Sequence, residues 1–247
     1  MEIGWPAELV LIRHAESAGN VARELALATG AATIDIGARD CDVPLSPLGE
    51  RQAAALGRWW ARNVAPYDAL LCSPYVRARQ TAALALGAAG WDGVPVLVDE
   101  RLREKEFGAL DRLTRSGIEQ RYPEQVELRR VLGKFYYRPP GGESWTDVIL
   151  RLRSAFETIA REHAGRRIAV ISHQVVVLCS RYVLERLSED EILAIDAQVD
   201  VANCAETTYR LDPATERLAL RSYNVVAPLE EEGAPVTAGP DQSVAAN

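Results

Sequence analysis

The sequence predicts an α/β fold, a three-layer α/β/α sandwich on a mainly parallel sheet. Two uninterrupted apolar runs, 9–12 and 168–171, have the composition of strands buried on both faces, as parallel strands are. Short apolar runs of this kind alternate along the chain with stretches of helical period. Helix-opening signals recur between them: Ser46-Pro47 and Ser73-Pro74 pair a capping hydroxyl with a proline, and Ser144/Asp147 and Ser188/Glu191 have capping-box spacing.

In chain order, residues 8–13 form the first strand. Residues 17–28 have helical spacing, and Gly30 stops that helix. The mixture of Gly, Asp, Cys and Pro over 30–45 reads as a loop across the strand ends. Ser46-Pro47 opens a helix whose inner face is Leu48, Ala55, Leu56 and Trp59. Residues 67–72 are a second strand, and Ser73-Pro74 starts a helix to about Leu86. A third strand is predicted at 94–98. Residues 99–143 lack a strong period and read as an insert over the active face, with short helices near 115–122 and 124–134 and a Pro/Gly loop at 138–143. Ser144 then caps a long amphipathic helix to about His163. A strand at 167–172, a helix at 174–186 and a short helix after Ser188 follow. Strands at 207–211 and 217–223, joined by a turn at Asp212-Pro213, complete the pattern. With no repeat and no linker, residues 1–226 read as one domain. Residues 227–247, with Glu230, Glu231, Glu232, Gly, Pro and small residues, read as a disordered tail.

The formal charge of −7 and the lack of a basic block argue against a nucleic-acid surface. Cys41, Cys72, Cys179 and Cys204 are scattered with no Cys-x-x-Cys pair, so neither a zinc site nor a redox motif is indicated. The N-terminus lacks a basic segment followed by a long apolar one, and no apolar stretch approaches the length of a membrane span. The expectation is a soluble cytoplasmic protein. Oligomeric state is left open, and Trp91 is expected at the surface.

His14 and His173 are two of only three histidines, and each directly follows an apolar run. Open α/β sheets bind ligands at the carboxyl ends of their strands. Arg77 falls in the first turn after the second strand and shares a helix face with Thr81. Its planar guanidinium can take phosphate oxygens two at a time. By themselves a strand-end histidine can equally be a hydrogen-bonded structural residue, and Arg77 part of a solvated face.

Taken together, Leu11-Ile-Arg-His-Ala-Glu-Ser-Ala-Gly-Asn20, Ser73-Pro-Tyr-Val-Arg-Ala-Arg-Gln-Thr-Ala82, Leu102-Arg-Glu-Lys-Glu-Phe-Gly108 and Ile171-Ser-His-Gln174 resemble the four motifs of the histidine phosphatase superfamily, in order, over residues 8–225. The resemblance implies that His14 attacks phosphorus to give a phosphohistidine. Arg13, Arg77 and His173 would hold the phosphoryl oxygens, with no metal and no cofactor. Asn20 and Ser17 match polar positions near the pocket, although Ser17 could equally cap the following helix. Glu104 would protonate the leaving group, repulsion from the bound phosphate keeping part of it protonated. Glu106 is the second choice, and Glu16 orients its neighbours. The later segments resemble the fructose-2,6-bisphosphatase branch most. That implies substrate contacts from Lys134, Gln174 and Arg130, or Arg129 if the spacing slips by one. Three positions depart from the pattern. A basic residue expected one turn after Gln174 is Leu178, a tyrosine expected near 115 is Arg115, and Ala15 replaces the glycine after the histidine, at a cost if that position needs φ > 0. The segment 21–45 also exceeds the usual spacing. The resulting expectation is a metal-independent phosphomonoesterase acting on a small phosphorylated metabolite. A phosphoglycerate-type mutase and a non-catalytic phosphate-binding module are the alternatives.

Overall fold

The computed structural model describes residues 4–239. Its strands are β1 (Glu8–Arg13), β2 (Ala69–Cys72), β3 (Val96–Val98), β4 (Arg167–Ser172), β5 (Glu206–Asp212) and β6 (Arg217–Val225). They form one sheet in the order β3-β2-β4-β1-β5-β6. The first four are parallel wherever they pair, as their apolar runs predict. β5 runs antiparallel to β1, and also to β6, since the short connection at 213–216 can join only antiparallel neighbours.

Successive side chains of a strand point to opposite faces, and here each face is covered by helices. Leu9 and Leu11 of β1, with Ile168 and Val170 of β4, pack against α6 (Trp145–Glu162) and α7 (Gln174–Glu185). Val10 and Ile12, with Ala169 and Ile171, pack against α2 (Pro47–Asn63) and α3 (Val76–Ala89). A Cβ on Gly57 would lie 2.1 Å from the Ala85 carbonyl oxygen, so this glycine lets α2 and α3 touch backbone to backbone. The buried tryptophan of α2 is Trp60; Trp59, expected on the inner face, is only partly covered. Trp91 is not a free surface ring: it stacks on Trp60 at 5.6 Å.

The insert has a small core of its own, Leu110, Leu113, Ile118 and Tyr137, between α4 (Arg115–Arg121) and α5 (Pro123–Tyr136). It is tied to the sheet by Arg151 of α6, which donates to Glu143 and to the carbonyl of Glu104. Capping follows the sequence at α1 (Ala18–Thr29), α2, α6 and α8 (Glu189–Gln198). It fails at α3, whose N-cap is Tyr75 with no side-chain cap; Ser73 is occupied elsewhere.

The carboxyl-terminal segment departs from the expected disordered tail over 227–239; residues 240–247 lie outside the described residues. Ala227–Glu230 forms α9. Glu231 accepts from the Trp59 indole, and Glu232 pairs with Arg58 and Arg62 on the exposed side of α2. The acidic run that reads as a solvated tail is therefore held by a basic helix face. Gln52 then donates to the Pro235 carbonyl at 2.9 Å, and Asn203 N–H to the Thr237 carbonyl at 2.8 Å. These contacts lead the strap back to the carboxyl ends of the parallel strands.

Candidate active site

The register of the sheet places the two histidines together. Arg13 pairs with Ser172 across β1 and β4, and His14 N–H donates to the Ser172 carbonyl. The next residues along both strands are thus His14 and His173, with ring centroids 5.1 Å apart. β2 lies on the other side of β4, and Ser73 N–H donates to Ile171. This sets the Ser73 hydroxyl 2.7 Å from His173 Nε2. His14, Ser73 and His173 are all fully buried.

The hydrogen bonds of His14 fix its tautomer. Its Nδ1 lies 2.7 Å from the Ala15 carbonyl oxygen, which can only accept, so Nδ1 carries the proton. Arg77 Nε–H, which can only donate, reaches His14 Nε2 at 3.2 Å. Nε2 is thus the ring nitrogen turned toward the guanidinium of Arg77. The His14 carbonyl is held in turn by Asn203 Nδ2 at 2.9 Å. Ala15 N–H donates to Thr81, whose hydroxyl donates to the Arg77 carbonyl, so Thr81 couples the two motifs. Ala15 is not among the residues with positive φ, and the expected cost of alanine there does not arise.

Both arginines expected to hold phosphoryl oxygens are buried and engaged by groups from other parts of the chain. Arg13 donates to the carbonyls of Val201 and Gly239, both at 2.6 Å. Arg77 binds the Asp40 carbonyl at 2.6 Å and its carboxylate at 3.0 Å. The guanidinium of Arg77 also lies 4.9 Å over the Tyr75 ring, which packs edge-on against His173. Ser17 caps α1 in a reciprocal box with Asn20, and the Asn20 amide reaches the Gly239 carbonyl at 3.4 Å. Ser17 caps the helix and also lines the same hollow as Arg77 and Asp40. Glu16 has the orienting part expected of it, accepting from the Ser46 hydroxyl at the start of α2.

Glu104 is buried, and its Oε1 accepts from Lys105 N–H at 2.7 Å. Glu106, the second choice as acid, is half-exposed and bonded to the Tyr75 hydroxyl. Lys134 pairs with Asp196 of α8, and Gln174 donates to Asp200 at 2.7 Å. Arg130 is a correction: it points into solvent and pairs with Glu127. Arg129 is the inward residue of the two, and burial lowers its pKa. Gly133, at φ 75°, breaks the helix between these arginines and Lys134, so residues on either side do not share a helical phase.

Several residues at this site carry no signal in the sequence. Ser73 reads as a cap, Asp40 as a loop acid, and Asn203 and Gly239 fall outside any motif. Lys105 hides inside the acidic motif. It is buried with its ammonium 4.1 Å over the Phe107 ring. Burial pulls its pKa down to about 8 against the opposing charge of Glu104, and nearby Arg129 adds to the depression. Among the described residues no cluster of His, Cys, Asp and Glu could hold a metal ion, and no helix is long and apolar enough to cross a membrane.

Comparison with known proteins agrees with this geometry. The family model of the histidine phosphatase superfamily (branch 1) matches residues 9–225. A 2,3-bisphosphoglycerate-dependent phosphoglycerate mutase 2 of Gloeobacter violaceus is 28% identical over 90% of this chain and 94% of its own. A 6-phosphofructo-2-kinase/fructose-2,6-bisphosphatase of Caenorhabditis elegans is 30% identical over 84% of this chain, which spans 42% of that longer protein. Among solved structures, the alpha-ribazole phosphatase of Shigella flexneri superposes with a TM-score of 0.71 at 21% identity, covering 88% of this chain and 96% of the other. The chain belongs to the histidine phosphatase superfamily.

Proposed function

We propose that this member of the superfamily is a phosphomonoesterase that hydrolyses a small phosphorylated metabolite through a phosphohistidine on His14. The observation that carries the reading is the setting of His14, whose Nδ1 is tied to a carbonyl, leaving the Nε2 lone pair to face Arg77. A nucleophile needs that lone pair, and an anion needs that guanidinium.

In the first step Nε2 attacks phosphorus in line with the leaving oxygen. The P–O bond to the alcohol breaks, and the proton of Glu104 goes to the departing oxygen. In the second step water gives a proton to the Glu104 carboxylate and attacks phosphorus. The P–N bond breaks, the electron pair returns to Nε2, and phosphate is released. Arg13, Arg77 and His173 hold the three equatorial oxygens, which is positioning and charge neutralisation rather than further covalent chemistry. For this the Gly239 carbonyl and Asp40 must give up their places on the two arginines. Asn20, Gln174, Lys134 and Arg129 are the candidates for the rest of the substrate. Leu178 is buried in the core and Arg115 pairs with Glu119 on the surface. Two contacts implied by likeness to the fructose-2,6-bisphosphatase branch are therefore missing, which supports a different phosphoester. Four cysteines without a disulfide suit a reducing cytoplasm.

The test is hydrolysis of p-nitrophenyl phosphate in EDTA by the wild type and by His14→Ala. Turnover by the wild type and none above background by the variant are expected; a variant that retains turnover overturns the reading. The mutase names of several relatives favour a second reading, phosphoryl transfer between positions of one substrate. Isomerisation of 3-phosphoglycerate primed by 2,3-bisphosphoglycerate, faster than hydrolysis of either, would establish it instead.

A further inference from the structure

A second concave surface lies at the opposite end of the sheet, where β1 and β6 begin. It consists of two adjoining hollows of about 560 and 520 Å³ that share Trp5, Arg153 and Val183. Each is in the size range of small-molecule sites. The first is the more apolar, floored by Trp5, Phe156 and Ala160. The second is lined by Arg186 and Arg217 beside Leu187 and Leu218. Nothing in the catalytic reading uses this surface.

Its charge is the reverse of the chain's. Four arginines and a single carboxylate, Glu157, line the two hollows of a protein whose formal charge is −7. Arg161 is engaged by Glu162. Arg153, Arg186 and Arg217 make no ion pair or side-chain hydrogen bond with any described residue. Arg186 also occupies the left-handed position that ends α7, at φ 58° and ψ 40°, where glycine is the usual residue. Three guanidiniums gathered over an apolar floor fit a ligand with an apolar body and an acidic end.

We propose that this groove binds a small amphipathic anion, an acyl or aryl chain ending in one carboxylate or phosphate. The body lies on Trp5 and Phe156, and the acidic end is held by Arg186 and Arg217, with Arg153 between the two hollows. The ligand is small because each hollow is bounded by side chains of α6, α7 and the lead-in to β1. A guanidinium fork matches either acidic group.

Titration calorimetry with decanoate, and with 1-decanol as the uncharged control, tests the site. One decanoate is expected per chain, bound more tightly than decanol. Arg186→Gly suits the left-handed backbone and so preserves the fold; Arg217→Ala removes the second guanidinium from an exposed strand start. Each should weaken decanoate by about tenfold, the effect of one charge-assisted hydrogen bond, and leave decanol unchanged. His14→Ala should bind decanoate as the wild type does. Equal affinity for decanoate and decanol, unchanged decanoate affinity in both arginine variants, or loss of binding in His14→Ala would each overturn the proposal.

Discussion

His14, Ser73 and His173 stand at the ends of three neighbouring parallel strands, while Asp40 and Gly239 reach the two arginines beside them from a loop and from the carboxyl-terminal strap. The first group is placed by sheet register and sealed by apolar layers on both faces. Among the described residues the second is placed by polar contacts, Gln52 and Asn203 on the strap and Arg77 itself on Asp40, beyond the α9 turn whose Leu229 is buried in the core. A ladder of backbone bonds is cooperative, whereas a strap on single hydrogen bonds of about 1 kcal/mol each opens locally. On the proposed reading the floor keeps its geometry and the cover yields to an anion.

Four measurements can break or sharpen that contrast. The largest effect is expected at Glu104, the acid of the proposed reading. Glu104→Gln should lower kcat/KM on alkyl phosphates by about 10²–10³-fold, and far less on p-nitrophenyl phosphate, whose leaving group needs no proton. Equal losses on both would remove Glu104 as the acid.

Next is Glu206, at the start of β5, where burial pushes the pKa from its ordinary 4.5 to about 7 while the Trp60 indole donates to it at 2.7 Å. The folded chain holds a proton that the unfolded chain releases above 4.5. Stability from this group is therefore full below that pH and lost as pH rises toward 7, by about 3 kcal/mol in all. Glu206→Gln should flatten that stretch of the stability–pH curve in urea unfolding; an unchanged slope would show that Glu206 is not its source.

A smaller effect is expected at the strap. Thr237→Ala removes the strap's side-chain bonds to Gln52 and Asn203, and should bind inorganic phosphate up to about tenfold more tightly, since the strap then yields Arg13 more readily. Weaker binding would mean that the strap helps to hold the anion rather than displacing it. The smallest effects separate the arginine pair of α5: Arg129→Ala should raise KM severalfold, and Arg130→Ala should leave it unchanged. The reverse result would restore the register in which Arg130 faces the substrate.

The floor was legible before any coordinates because strand ends announce themselves. Unbroken apolar runs that stop at Arg13-His14 and Ser172-His173 locate two catalytic candidates, and Arg77 follows from its place one turn beyond a third run. The rest of the site, Ser73 of the floor included, was not legible, for particular reasons. Ser73 carries a capping pattern but spends its hydroxyl on His173. Arg129 and Arg130 cannot be told apart by spacing because Gly133 interrupts the helical phase downstream. Glu231 and Glu232 look like a solvated tail until Arg58, Trp59 and Arg62 of α2 are seen to face them.

What the sequence alone determined is the sheet, its alternation with helices and the family to which the chain belongs, because periodicity and motif order are local properties of the chain. Tertiary structure decided the neighbours of the His14 ring, the partners of Arg13 and Arg77, and the course of the strap. Each of these depends on groups brought together from distant parts of the chain, and pattern along one dimension holds no record of such distances.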